Sequence, residues 1–164
     1  MDLNKMERTF FRFTGPGGSG GIKVLTIYNT KIKFIDESYN ANPLSMISAI
    51  NNMNYYNGNQ NHRKLVFLGD MLELGRKSEK YHKDLSKVIN NTDIDKVFIK
   101  GEKILFTYKY LNKSKRGNIL QNKDDIDSIL RSTIANKDYL MIKGSNATGL
   151  NTISKKMIKG LNVI

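Results

Sequence analysis

Hydrophobic and polar residues follow one another along this chain in short segments whose periods match strands and helices. Residues 22–28 and 31–35 are alternating, β-branched runs, and Asn29-Thr30 between them predicts a hairpin turn, because asparagine tolerates a positive φ. Asn42-Pro43 predicts a helix start, since asparagine caps free N–H groups and proline is tolerated at the first helical position. The expected buried positions of this helix are Leu44, Met46, Ile47, Ile50 and Met53. Asn57-Gly58-Asn59 predicts its end.

The same succession of strand and helix continues along the rest of the sequence. Four further apolar runs predict strands, at residues 64–68, 96–99, 118–120 and 138–142. Each of these strands precedes a stretch of helical periodicity. Ser78 is the predicted cap of the helix that follows the strand at residues 64–68. The expected core positions of these helices are Tyr81, Leu85, Val88 and Ile89; Ile104, Leu105, Tyr108 and Leu111; Ile126, Ile129, Leu130 and Ile134; and Leu150, Ile153, Met157, Ile158 and Leu161. We therefore predict a three-layer α/β domain: a mainly parallel sheet, helices on both faces and an N-terminal β-hairpin.

Polar segments leave the carboxyl ends of the predicted strands, which is where ligands bind in such sheets. The segments at residues 36–42, 69–75 and 143–149 are rich in potential ligands, and we expect them to face one crevice. The first precedes a helix N-terminus, whose free N–H groups attract anions. A polar turn with a good helix cap explains the same residues equally well.

The charge and composition narrow the class of protein. The formal net charge is +12, yet Lys and Arg are interspersed with acidic residues, without a run of five like charges or a basic-aromatic RNA-recognition motif. No apolar run approaches the roughly 20 residues of a membrane helix, and the first residues lack the apolar core of a signal peptide. The chain has no cysteine. We expect a cytoplasmic monomer that binds neither nucleic acid nor membrane.

A glycine-rich stretch at residues 15–21 contains the pattern G-x-G-x-x-G. A dinucleotide fingerprint must follow a strand and open a helix, whereas this stretch precedes a predicted strand. A Walker A loop also fails, because Gly21 stands where lysine is required. We interpret the glycines as a connector. Residues 1–14 are then an N-terminal extension, and residues 15–164 form the domain.

Three motifs occur in order and together resemble the C-terminal domain of the Mur ligases that add D-alanyl-D-alanine to a UDP-N-acetylmuramoyl-tripeptide. They are Asp36-Glu37-Ser38-Tyr39-Asn40-Ala41-Asn42-Pro43; Leu68-Gly69-Asp70-Met71-Leu72-Glu73-Leu74-Gly75 with Ser78 and His82; and Lys143-Gly144-Ser145. Each motif alone is weak, but three in register are specific. The resemblance extends over roughly residues 15–162 and implies a Rossmann-like fold, in agreement with the periodicity.

The resemblance also implies an activity and a site. In this family ATP activates the peptide carboxylate as an acyl phosphate, and the amine of D-alanyl-D-alanine then attacks it. An N-terminal domain binds the UDP-sugar, and a central P-loop domain holds most of the phosphate and Mg²⁺. By resemblance, the ATP contacts are Asp36, Glu37, Asn40 and Asn42, without a decision on which carboxylate holds the ribose. The residues implied for the incoming dipeptide are Asp70, Met71, Glu73, Ser145, Asn146 and Thr148; no catalytic residue or metal ligand is assigned.

Two departures from the family pattern bear on activity. This sequence has no P-loop and no central domain, so we expect the chain to be inactive without the N-terminal and central domains. Gly18-Ser19-Gly20 also stands where the family has Gly-Arg-Gly; either the alignment slips there, or this chain lacks one phosphate contact. A stand-alone nucleotide-binding or regulatory module and a basic nucleic-acid-binding protein are the alternatives. A P-loop motif in an upstream reading frame would favour the ligase C-terminal domain. A steep salt dependence of DNA binding would favour the nucleic-acid-binding protein.

Several single residues have competing interpretations. His82 is expected to be a packed, hydrogen-bonded histidine rather than a catalytic one. Asp70 either stabilises a turn or binds a ligand. Lys143 either extends along the end of a strand or contacts phosphate or substrate. Met71 and Leu72 either hold their loop against the core or touch the substrate.

Overall fold

A six-stranded sheet crosses the centre of the computed structural model, which describes residues 21–56 and 62–160. The strands are β1 (Ile22–Ile27), β2 (Thr30–Glu37), β3 (Lys64–Gly69), β4 (Lys96–Lys100), β5 (Arg116–Ile119) and β6 (Tyr139–Lys143). Their order is β1-β2-β6-β3-β4-β5, and β1 alone of these six runs antiparallel to its neighbour. The predicted mainly parallel sheet with an N-terminal hairpin is confirmed.

Helices cover both faces of this sheet. In chain order they are α1 (Pro43–Tyr55), α2 (Ser78–Asn90), α3 (Leu105–Tyr110), α4 (Lys123–Thr133) and α5 (Leu150–Ile158), with 3-10 turns at Gly75–Lys77, Lys113–Lys115 and Asn146–Thr148. One core lies between the sheet and α1, α2 and α3, and the other between the sheet and α4 and α5. The three-layer prediction is therefore confirmed. Every helix within the described ranges is too short or too polar to traverse a lipid bilayer.

The hairpin and the start of α1 follow from local residue chemistry. Tyr28 and Asn29 form the turn with φ values of 48° and 61°, so the turn lies one residue earlier than predicted. Two consecutive left-handed residues match the right-handed twist of the flanking strands. At α1, the Ser45 N–H donates to Asn42 Oδ1 at 2.9 Å, and the Asn42 N–H donates to Ser45 Oγ at 3.1 Å. This reciprocal cap confirms the predicted helix start.

Three predictions about helix residues are wrong: two buried positions and one cap. Leu44 is 80% exposed, because it lies two residues before the buried Met46, and residues two apart do not share a helix face. Leu105 is 41% exposed, and Thr107 takes the buried position of α3, three residues after Ile104. Ser78 does not cap α2 from outside, since the 3-10 turn before it already bends the chain and Ser78 is the first helical residue.

The strands agree with the predictions more closely than the helix faces do. β3 and β6 are buried along their whole length, as expected for parallel strands covered on both faces. β5 begins two residues earlier than predicted, and the Leu120 N–H still donates to the Ile99 carbonyl at 2.7 Å. The predicted helix end at residues 57–59 and the predicted core residue Leu161 lie outside the described residues.

Candidate functional site

The order of the strands brings the three predicted ligand-bearing segments to one edge of the sheet. β6 lies between β2 and β3, and Lys143 at its end is in register with Glu37 on β2 and Leu68 on β3. Two cavities open there. The larger, about 390 Å³, is lined by Asn40, Ala41, Leu72, Glu73, Ser145, Asn146 and Ala147. The smaller, about 220 Å³, is lined by Asp70, Leu72, Lys100, Gly101, Glu102, Ala147 and Thr148. Leu72 and Ala147 line both, so the cavities adjoin.

Asp36 and Glu37 have different surroundings. Asp36 is 7% exposed, and its Oδ1 accepts hydrogen bonds from the Ser38 N–H at 3.1 Å and the Ser38 hydroxyl at 2.6 Å. Glu37 is half-buried, and its Oε2 lies 3.8 Å from Lys143 Nζ. Successive strand residues point to opposite faces, so the two carboxylates do not form one acidic pair. Asp36 shapes the turn after β2, whereas the Glu37 side chain is 25% exposed and lines neither cavity.

The two predicted asparagine ligands also differ. Asn42 caps α1 with its side chain, as described above. The exposed Asn40 lines the larger cavity, and its Oδ1 accepts from the Ala41 N–H at 2.8 Å. The backbone carbonyl of Asn40 accepts from Lys143 Nζ at 2.9 Å. Asn40 is therefore next to the cavity, and Asn42 is occupied in maintaining the helix start.

Asp70 joins three segments of the crevice. Its carboxylate accepts from the backbone N–H groups of Glu102 at 3.2 Å and Ile104 at 2.7 Å, and its carbonyl accepts from the Ser145 N–H at 3.1 Å. Gly101, between β4 and α3, has a φ of +132° and lies directly against this carboxylate. The turn-stabilising interpretation of Asp70 is therefore confirmed. Its role as a ligand stays a prediction.

The two residues after Asp70 separate into core and crevice. The Met71 side chain is 1% exposed and packs in the core, and the Met71 N–H donates to His82 Nε2 at 3.0 Å. Leu72 is 43% exposed and lines both cavities, while Glu73 lines the larger one. The side chain of Met71 is thus withdrawn from the crevice, and that of Leu72 faces it.

His82 is a packed, hydrogen-bonded histidine, as predicted. It is fully buried on α2, and since a backbone N–H can only donate, its Nε2 is unprotonated. The proton is on Nδ1, which donates to the Ser78 carbonyl at 2.8 Å. Burial lowers the pKa of His82 below its ordinary 6.5, although the Ser78 carbonyl and the Asp70 charge favour the protonated form.

The lowered pKa of His82 makes stability depend on pH. The unfolded chain takes up a proton here as pH falls below about 6.5, while the folded chain does not, so the free energy of unfolding decreases with falling pH. Urea unfolding at pH 7.5 and 5.5 should show a larger loss in the native sequence than in His82→Gln. Equal pH dependence in His82→Gln and the native sequence would contradict the assignment.

The segment after β6 contains the least satisfied polar group of the crevice. Ser145 is 6% exposed and lines the larger cavity, yet among the described residues its Oγ has no hydrogen-bond partner. The Thr148 hydroxyl donates to the Ser145 carbonyl at 2.7 Å, so Thr148 stabilises the turn and also borders the smaller cavity. Asn146 is exposed beside the larger cavity. Of these three predicted residues, Ser145 is the one whose hydroxyl lacks a partner within the described part of the chain, and it lines the larger cavity.

Lys100 is a crevice residue that the sequence reasoning missed. It ends β4, lines the smaller cavity and donates from Nζ to the Thr148 carbonyl. The signal was available, because a lysine directly after the buried run of Val97, Phe98 and Ile99 must lie at the carboxyl edge of the sheet.

Comparison with known proteins gives one family. A family model described as Mur ligase, glutamate ligase domain, matches residues 24–146. A UDP-N-acetylmuramoyl-tripeptide–D-alanyl-D-alanine ligase of Buchnera aphidicola (subspecies Baizongia pistaciae) is 34% identical over 127 residues, 76% of this chain and 26% of that protein. The Bacillus subtilis ligase of the same name is 30% identical over 152 residues, 87% of this chain and 33% of that protein. The chain thus spans about a quarter to a third of the length of these relatives.

Solved structures share the fold. The MurF ligase of Thermotoga maritima, crystallised with ADP, superposes with a TM-score of 0.71 at 18% identity, covering 90% of this chain and 32% of that one. A MurF structure from Acinetobacter baumannii gives a TM-score of 0.70 at 23% identity, covering 97% and 34%. At these identities the likeness concerns the fold alone.

Proposed function

The chain belongs to the Mur ligase family, as the match over residues 24–146 establishes, and we propose that it is the C-terminal domain of an ATP-dependent ligase that adds D-alanyl-D-alanine to UDP-N-acetylmuramoyl-tripeptide in peptidoglycan precursor synthesis. The names of the similar ligases support the reaction, and the chain's share of their length supports the domain assignment. The observation that best supports the proposal is the larger cavity, because Asn40 of the proposed ATP segment and Ser145 of the proposed dipeptide segment both line it. The N-terminal and central ligase domains are the implied partners.

The segment at residues 36–42 suits the ribose and base of ATP. The Glu37 side chain is 25% exposed, so its carboxylate can accept from ribose hydroxyls, and Asn40, which lines the larger cavity, has an exposed amide. Asp36 and Asn42 contribute by fixing the turn and the helix start between which these groups lie. ATP supplies the phosphoryl group that activates a carboxylate. Its Mg²⁺ would be held mainly by the central domain, since the described residues contain no group of three or more His, Cys, Asp or Glu placed for a metal ion.

The larger cavity suits a small zwitterionic dipeptide. The hydroxyl of Ser145, which has no partner within residues 21–56 and 62–160, can donate to a peptide carboxylate or carbonyl, and Asn146 lines the same cavity. Glu73 offers a negative charge to the ammonium group, and Leu72 and Ala147 offer apolar contact to methyl side chains. Asp70 and Thr148 act by shaping the loops and bordering the smaller cavity, and Met71 acts from the core.

An amide chemical-shift titration of the 164-residue chain tests the nucleotide half of the proposal. Three neutral or charged hydrogen bonds to ribose and base are worth about 4 kcal/mol together, which corresponds to millimolar affinity. Because the described residues offer the triphosphate no cradle, adenosine and ATP should bind with similar affinity at physiological salt. The shifts should cluster at residues 36–42, disappear in Glu37→Gln, and persist in the control Glu79→Gln on the exposed face of α2.

A second titration with D-alanyl-D-alanine tests the other half. Its shifts should lie at residues 72–73 and 145–147 and be lost in Ser145→Ala. Ser154→Ala is a matched control, because Ser154 Oγ on α5 is also buried without a described partner but does not line the cavity. Micromolar ATP binding, or shifts centred on residues 15–21, would contradict the nucleotide assignment. Nucleotide shifts without any dipeptide response would favour a stand-alone nucleotide-binding module.

A further inference from the structure

Lys143 places a positive charge inside the protein at the end of β6. It is 2% exposed, and its register partner on β2 is Glu37. Its Nζ donates to the Asn40 carbonyl at 2.9 Å and lies 3.8 Å from Glu37 Oε2. A buried ammonium is costly unless it is paired and hydrogen-bonded, so this lysine depends on the two groups that it joins.

The location of Lys143 differs from both interpretations drawn from the sequence. With an exposed fraction of 2%, its side chain does not extend into solvent, and it lines neither of the two crevice cavities. Its two polar contacts are instead to the last residue of β2, Glu37, and to the backbone of the cavity residue Asn40, in the segment that follows β2. The ammonium of Lys143 is therefore buried against residues 37–40. Any effect that it has on nucleotide binding passes through Glu37 and Asn40.

The charge of Glu37 depends on this neighbour. Burial raises the pKa of Glu37 above its ordinary value, the negative charge of Asp36 on the same strand raises it too, and Lys143 lowers it. Tyr56, which follows α1, also senses the Glu37 charge: burial, that charge and the neighbouring Tyr139 raise the pKa of Tyr56. Lys143 is thus the cation that favours the ionised form of Glu37 against burial and Asp36.

We propose that Lys143 is a positioning residue for nucleotide binding, whose buried ammonium ties Glu37 to the backbone of Asn40 and keeps the Glu37 carboxylate ionised and directed towards the ribose. The inference rests on the proposed nucleotide role of Glu37 and assigns a function to a residue that would not touch the ligand. It predicts that nucleotide affinity and the ionisation of Glu37 change together when Lys143 loses its charge.

Lys143→Met removes the charge and keeps an unbranched side chain. A nearby opposite charge lowers a carboxyl pKa, so the variant should titrate Glu37 at a higher pH than the native chain does, followed through its carboxyl ¹³C shift. At a pH between the Glu37 midpoints of the native chain and the variant, adenosine affinity should fall severalfold in the variant, and it should recover partly as the pH is raised above the variant's midpoint. A role in folding alone would lower stability without this pH-dependent recovery.

Lys64→Met is the matched control, because Lys64 is also a buried lysine, 4% exposed and paired with Asp93, but it lies at the start of β3. It should lower stability while leaving adenosine affinity and the Glu37 titration unchanged. If Glu37→Gln leaves adenosine binding intact, the proposed nucleotide role fails. If Glu37→Gln weakens binding but Lys143→Met alters neither affinity nor the titration, the positioning role fails.

A measurement on the unmodified chain keeps the test decisive if Lys143→Met does not fold. The ¹⁵Nζ shift of Lys143 should change with pH at the same midpoint as the ¹³C shift of the Glu37 carboxyl, because the two charges are 3.8 Å apart. Lys64 Nζ should show no inflection at that midpoint. A Lys143 signal that does not respond to the titration of Glu37 would overturn the inference.

Discussion

Gly101→Ala is expected to destabilise the fold by about 2–6 kcal/mol, combining about 1–3 kcal/mol of backbone strain with about 1–3 kcal/mol of overpacking. Gly101 has a φ of +132°, a conformation that residues with a Cβ rarely adopt. A Cβ built there would lie 2.6 Å from Asp70 Oδ2 and closer still to Oδ1. Moving this carboxylate would leave the N–H groups of Glu102 and Ile104 without their acceptor. The expected loss is a large share of a typical stability of about 5–15 kcal/mol.

Gly75→Ala is the control for the strain contribution. Gly75 also has a positive φ, +55°, but a Cβ there would meet nothing within 4 Å. It should therefore cost only about 1–2 kcal/mol, the price of a left-handed residue. Urea or thermal unfolding of both variants measures the difference. Equal losses in the two variants would mean that the Asp70 carboxylate moves without consequence and does not hold the loop between β4 and α3.

A polypeptide of these 164 residues is expected to hydrolyse ATP and to ligate D-alanyl-D-alanine no faster than background. Phosphoryl transfer depends on positioning and on charge stabilisation by a phosphate-binding loop, its lysine and Mg²⁺. The sequence contains no G-x-x-x-x-G-K-[ST] motif, and Gly21 follows Gly20 where that lysine would stand. The measurement is phosphate release with ATP, Mg²⁺ and both proposed substrates at saturating concentration.

One result would refute this expectation of inactivity. ATP turnover that survives purification and disappears when Asp36 and Glu37 are both replaced by alanine would locate a complete active site in this chain. The same double substitution should leave a contaminating ATPase unaffected. Phosphate release that appears only after the N-terminal and central ligase domains are added would instead support the proposed domain assignment.

Local chemistry was sufficient to determine the succession of elements from the sequence. Asn42, Pro43 and Ser45 specify a helix start within four residues, and the continuous apolar run of β3 specifies a strand buried on both faces. The hairpin follows from a turn of two residues between alternating runs. Such signals depend only on residues that are neighbours in the chain, so they can be interpreted without knowledge of the fold. The motifs also identified the family, and the match over residues 24–146 agrees.

The roles of the crevice residues were decided only by tertiary contacts. The sequence presents Asp36 and Glu37 as adjacent carboxylates, but the pleat of β2 turns them to opposite faces, one against Ser38 and the other towards Lys143. It presents Asp70 as a loop residue, but its carboxylate accepts N–H groups more than thirty positions away. Lys143 is a charged residue in the sequence and one of the largest fully buried side chains in the fold. Sequence patterns report periodicity over a few residues, whereas burial and ion pairing depend on which strands become neighbours.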